Sequence, residues 1–426
     1  MFAKAVNAAA AESGVFLQYQ RPSVAQWLAG GVPRPPVPEL IAEVLTRKLG
    51  RPVTIQDAGF IRPGKGALDS EEVEEALRDL ARRSVAPGRA GAVPGDVYRL
   101  GALQEALGEA RLGITWAVRK SGGRRVGKVE AAAATSTLQL FSRVDKAFGG
   151  GYVRPALANY LSTVLVPWLR APSSPTVTSS LHSTAAQLAY LCAFAHFDDQ
   201  EQALAQRYYL NALRLAARAS DTLTMAVVLR GLSVQAYTLG HRVHAQHLAE
   251  AAHARCPSWA PRHLRAALLG QRALTAASLG NSRQALNDLI SAEQYVDREP
   301  NAPAPTPVGS YHTASLAHQR GEVAIQLGDF AEAHRAFTHA VCHRPPMEHL
   351  ARVLVLHKLA SLELSQGQLD AACHYWQRFL HDQTALHSQR AADAITEMRS
   401  RLRPYSTNAT ASSLLHLATA PRRSPP

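Results

Sequence analysis

Leu40, Ile41, Val44, Leu45 and Leu49 recur at three- and four-residue spacing and predict a helix over Pro38–Leu49. The same periodicity predicts a helix over Phe2–Glu12 and a short one over Pro22–Ala29, whose Val24, Trp27 and Leu28 fall on one face. Pro22 in the first turn, and Gly30-Gly31 followed by Pro33, are start and stop signals for that short helix. Val53–Phe60 reads as a closing segment, so 1–62 forms a small unit. A further helix is predicted over Asp69–Arg83, capped by Asp69 or Ser70, with Glu71, Glu72, Glu74 and Glu75 favouring its dipole. Ser84–Gly95 has linker composition, and 63–118 as a whole reads as a helical linker region.

The middle of the chain, 119–172, is predicted as a basic loop and central helices. Arg119, Lys120, Arg124, Arg125, Lys128, Arg143 and Lys146 stand there against Glu130 and Asp145. Helices are expected over Val126–Phe148 and Pro155–Leu169, separated by Gly149-Gly150-Gly151, and Pro172–Pro175 marks a second linker. Over 176–403 a pattern repeats: Ala205/Tyr209/Ala212, Ala245/Ala249/Ala252, Ala285/Leu289/Ala292, Ala333/Phe337/Ala340 and Ala372/Trp376/Phe379. The anchors recur about every 40 residues, with one longer step that contains Pro300–Pro307. Gly240, Gly280, Gly328 and Gly367 precede the later anchors and are expected to end the first helix of each pair. Such pairs bury their faces only by stacking on neighbours. Residues 404–426 hold no acid, are rich in Ser, Thr, Ala and Pro, and are expected to form a disordered tail.

Composition narrows the class. Hydrophobic residues make up 46% of 426 and aromatics 6%, which favours helices and packed cores. The formal charge of +13 and a pI near 9.9 suit a polyanionic partner such as DNA. Cys192, Cys256, Cys342 and Cys373 form no C-x-x-C pair and read as small core residues in a reducing compartment. With no apolar run at the N-terminus, and none long enough to span a bilayer, the expectation is a cytoplasmic protein without membrane contact.

Two chemical motifs are weak. Gly122–Val129, GGRRVGKV, approaches a phosphate-binding loop, but Val129 replaces the hydroxyl that would hold magnesium. His241, His244 and His247, and His339, Cys342 and His343, are scattered along helices rather than spaced as zinc ligands, so neither metal nor cofactor is expected. No nucleophile elbow or metalloprotease helix occurs, and an enzyme is not expected.

Ser23-Val24-Ala25-Gln26-Trp27, followed by Gly30 and Pro33, resembles the recognition segment of lambda-repressor-like, xenobiotic-response-element type helix-turn-helix regulators. Gly321, Gly328, Ala333, Phe337, Ala340 and Pro345 sit at tetratricopeptide signature spacings. The order of parts is similar to regulators of high-GC bacteria that join such a DNA-binding unit to a tetratricopeptide-like array. The resemblance implies an all-α chain: a helix-turn-helix unit whose first helix is missing, then an α-solenoid of helix pairs. It implies that Val24, Trp27 and Leu28 are structural. Ser23 and Gln26 would face bases, and Gln20, Arg21 and Arg34 would touch phosphates or base edges of double-stranded DNA. It further implies a homodimer, with a peptide or small-molecule effector on the array. The alternative is an interaction scaffold whose N-terminal unit no longer binds DNA.

Overall fold

The computed structural model describes residues 1–60, 73–85, 96–112, 125–296 and 311–418. Every regular element among the described residues is helical. Two compact units result. One comprises Met1–Leu138 with Arg154–His244, the other Gln139–Val153 with Ala245–Pro426. These boundaries differ from those expected, because periodicity identifies which side chains are buried but not what they are buried against.

The first unit begins with α1 (Phe2–Glu12), α2 (Arg21–Leu28) and α3 (Val37–Leu49). Val6, Ala9 and Ala10 of α1 pack on Leu40, Ile41 and Val44 of α3, and Phe60 closes this small core. Gly50 ends α3 in the left-handed region, at φ 66°. After α4 (Val73–Val85) and α5 (Leu100–Leu112) come α6 (Lys128–Phe148), α7 (Gly150–Tyr160) and α8 (Val166–Arg170), the last two joined by a π-helical turn at Leu161–Leu165. The chain then continues as α9 (Pro175–Asp198), α10 (Gln202–Arg218), α11 (Thr222–Thr238) and α12 (Arg242–Arg255). The division between units falls inside α6, α7 and α12.

The second unit holds α13 (Arg262–Ser278), α14 (Ser282–Val296), α15 (Thr313–Leu327), α16 (Phe330–Cys342), α17 (His349–Ser365) and α18 (Leu369–Asp382). They are followed by α19 (Gln389–Leu402) and α20 (Ala409–Leu417). Consecutive helices pair, α9 with α10, α13 with α14, α15 with α16 and α17 with α18. The repeating anchors lie on α10, α14, α16 and α18, each the second helix of a pair, and on α12, and all but a sliver of each is buried. Gly240, Gly280, Gly328 and Gly367 follow α11, α13, α15 and α17 with φ between 77° and 83°. There an L side chain would be strained. Close approach has a separate device. A Cβ on Gly321 of α15 would lie 2.5 Å from the Phe337 ring of α16, so only glycine lets the two helices meet. The Pro300–Pro307 insertion lies outside the described residues.

Residues 404–418 are ordered, contrary to the expected disorder of 404–426. Asn408 caps α20, its Oδ1 accepting the N–H of Thr410 and of Ala411 at 3.0 and 3.1 Å. Ala411 and Leu414 join the core formed by Trp376, Phe379, Met398 and Leu402. Asn408 thus satisfies the first turn of the helix, while Ala411 and Leu414 anchor it in that core. No described helix is long and apolar enough to cross a membrane.

Candidate nucleic-acid interface

The short helix α2 is built from both ends. Asn7 of α1 makes two hydrogen bonds to the backbone of Tyr19, donating to its carbonyl and accepting its N–H, both at 3.0 Å. That fixes the extended approach to the helix. Gln20 is the N-cap in extended backbone and its side chain caps nothing, while Pro22 presets the first turn. At the other end Gly30 turns left-handed at φ 94°. Its N–H bonds the Trp27 carbonyl at 3.1 Å, and the Gly31 N–H bonds the Gln26 carbonyl at 2.9 Å. This is a Schellman stop. A Cβ at Gly31 would lie 2.8 Å from the Gln26 carbonyl oxygen, so the second glycine is also required.

No residue of α2 is fully buried. Ser23, Val24 and Trp27 form its half-covered side, and the Trp27 ring meets Tyr19 edge-on with centroids 5.0 Å apart. Arg21, Pro22, Ala25, Gln26, Leu28 and Ala29 form the open side. Gln20 and Arg34, at the two ends of the segment, are exposed as well. The open side therefore gathers Arg21 and Gln26 with Gln20 and Arg34 at its margins, while Ser23 turns inward. Leu28 corrects the expectation that it is structural: it is 86% exposed. Residues 21, 25 and 28 align along one ridge of a helix, and once Trp27 points at Tyr19 that ridge faces away from the core.

Two acids of this region, Glu12 and Glu43, are paired with Arg47. Arg47 Nη2 lies 2.7 Å from Glu12 Oε2, and its Nε lies 2.7 Å from Glu43 Oε1. Burial alone would raise the Glu12 carboxyl. Hydrogen bonds from His241 and Arg47 override it and hold the group below its ordinary value. Lys4, Arg21, Arg34, Lys48 and Arg51 all remain exposed.

A clasp at residues 96–100 fastens this three-helix region within the first unit. Tyr98 donates its N–H to Ser13 Oγ at 3.0 Å and accepts from Arg47 at its carbonyl, and its ring stacks on His241. Gln206 of α10 makes two hydrogen bonds to the Arg99 backbone, at 2.9 and 2.8 Å, and Arg207 pairs with Asp96 at 2.6 Å. None of these links is visible as a sequence motif.

The remaining candidates resolve into structure. Glu74, expected to serve the α4 dipole, is buried between His182 and Arg218. Burial would raise its carboxyl, yet the hydrogen bonds from those two residues bring it down to about 2. Ser84, expected to begin a linker, lies in the last turn of α4. Its Oγ is 2.8 Å from His196 Nε2, and His196 Nδ1 is 2.5 Å from Glu201. That connectivity is of nucleophile, base and acid, but Ser84 is 5% exposed and its Oγ is engaged by the Leu80 carbonyl and the Tyr208 hydroxyl. The cluster pins α4 to the helices beneath it. Residues 86–95, the rest of the expected linker, lie outside the described residues, as do 69–72.

In the glycine-rich stretch, residues 122–124 lie outside the described residues, together with Arg119 and Lys120. The Gly127 N–H is taken by the Glu130 carboxylate at 2.9 Å, which occupies a donor that a phosphate would need. No group of three or more His, Cys, Asp or Glu among the described residues is placed to hold a metal ion. Cys192 and Cys373 are buried as expected. Cys342 is exposed as the last residue of α16, and Cys256, which follows the end of α12, is half-buried.

Among known protein families, the model described as the SP15 N-terminal domain matches residues 1–61. That span coincides with α1–α3 and the segment closed by Phe60. A comparison with curated proteins finds no match.

Proposed function

We propose that the chain is a cytoplasmic, sequence-specific DNA-binding regulator. In this reading α2 lies in the major groove, and the helix pairs bring two copies together and receive a peptide or small-molecule effector. One observation carries it: the open side of α2 presents Arg21 and Gln26, with Gln20 and Arg34 at its ends, on a region where Glu12 and Glu43 are paired with Arg47. Arginine bonds guanine or phosphate, and glutamine bonds adenine through two hydrogen bonds. Two modules acting on paired half-sites supply the affinity that one short helix lacks.

The double variant Arg21→Ala with Gln26→Ala tests this reading. Footprinting on genomic fragments is expected to lose its protected sites while the melting curve stays unchanged. Unchanged footprints would sink it. A second reading, an interaction scaffold, draws support from Phe16, Leu28 and Val32, which are 83, 86 and 71% exposed. Under that reading, affinity for DNA falls only shallowly with salt and shows no preferred sequence.

A further inference from the structure

The open side of α2 has an unusual composition for a surface helix. It consists of two adjoining rows, Arg21/Ala25/Leu28 and Pro22/Gln26/Ala29, at the i, i+4, i+7 spacing of a helical ridge. Only Arg21 and Gln26 are polar. The other four are apolar and exposed, Leu28 at 86%, and no described neighbour covers them. The Gly30-Gly31 stop fixes the backbone beneath Gln26 and Leu28, so the rows are rigid at the end where the apolar side chains lie.

Resting on the DNA reading above, we infer that Leu28, with Ala25 beside it, reads thymine methyl groups, so that the bases under α2 are A·T pairs. The major-groove edge of an A·T pair offers two things side by side. The thymine C5-methyl suits an aliphatic side chain such as Leu28, while adenine N6 and N7 suit a glutamine, and Gln26, on the adjoining row, is left to read a different pair. A G·C pair offers no methyl group, and an apolar side chain pressed on guanine O6 or cytosine N4 would strip water from a polar group without replacing its hydrogen bond. Leu28 therefore attracts A·T and rejects G·C at the same position. The row from Arg21 to Leu28 spans about 10 Å, which covers about three base-pair steps. Arg21 at its start lies at a different step from Leu28 and is left for a phosphate or a guanine. Double-stranded RNA does not fit: its major groove is too narrow for a helix, and uracil lacks the methyl.

The experiment uses the full chain and random-sequence duplex DNA. Selection is expected to enrich one half-site containing A·T pairs. Each thymine of that site is then replaced singly by deoxyuridine, which removes the methyl and nothing else. At one or two positions affinity should fall about fourfold, the worth of one buried methyl. Leu28→Ala should weaken the parent site by a similar factor, keep the melting temperature, and lose sensitivity to deoxyuridine at those positions. If the wild-type chain binds every deoxyuridine duplex as tightly as the parent, or if the enriched half-site is all G·C, the methyl assignment falls while DNA binding stands. If no sequence is enriched, the DNA reading falls and takes this inference with it.

Discussion

Two tryptophans on two helices of this chain have opposite surroundings. Trp376 of α18 is fully buried, donates its indole N–H to His357, and is surrounded by Phe379, Met398 and Leu402. Trp27 of α2 is half-buried and leans on Tyr19 at the edge of a small core. The helix α18 exists because the array packs around it. The helix α2 exists because Pro22 and Gly30-Gly31 bracket it and one aromatic pair attaches it. Where packing does not dictate the residues, the exposed ones are released from the demands of a core, and α2 is that case.

The contrast can be strained most by acid. His196, His318 and His357 belong to the array, and burial holds each imidazole below its ordinary value of 6.5, against the pull of Glu201, Glu322 and Glu397. The unfolded chain then takes up protons first, so stability is complete above about pH 6.5 and falls as pH drops through that value. Glu74 and Glu322 extend the loss. Burial would raise both, but charged and hydrogen-bonding partners bring both carboxyls to about 2, so their contribution holds above 4.5 and is lost from there towards pH 2. Thermal melts from pH 8 to pH 3 should show this descent in two stages. A flat profile between pH 7 and pH 5 would remove the histidine account.

Next in size is Trp376→Ala, expected to cost about 3–5 kcal/mol in urea unfolding through the cavity it leaves. Gly321→Ala should cost about 1–3 kcal/mol, because the new methyl meets the Phe337 ring, and this despite the better helix propensity of alanine. A stabilised variant would show that α15 and α16 move apart freely. Trp27→Ala is expected to cost only about 1–2 kcal/mol, since part of the side chain is already in water. Its effect should appear as faster hydrogen exchange in α2 with the array amides unchanged. Smallest of all, Leu28→Ser should shift the midpoint by no more than about 0.5 kcal/mol. A larger loss would return Leu28 to the structural role that spacing first suggested.

Much of the array was legible beforehand. The small and aromatic anchors from Ala205 to Phe379 are those that the structure buries, and the four punctuating glycines are those with positive φ. Periodicity works there because each helix buries one stripe against neighbours close in sequence. The exposure of Arg21 and Gln26 was legible too, from their offset relative to Trp27. Leu28 was not: it is adjacent to Trp27 and four residues from Val24, so spacing alone leaves its side undecided. The fold of α20 was hidden because its capping residues, Ser, Thr and Asn, are also those of disordered tails.

By itself, then, the sequence determined an all-helical chain, the period of its pairs, the residues at their interfaces and the bracketing of α2. These are local properties, set by propensity, capping and spacing along one helix. Only the tertiary structure decided that Glu74 and Ser84 are buried and that Tyr98 and Gln206 clasp the N-terminal helices. It alone turned Leu28 outward and gave Leu414 a core to enter. Each of those outcomes depends on a partner distant in sequence, and the free energy of burying a polar or apolar group is set by that partner rather than by the residue's own neighbours.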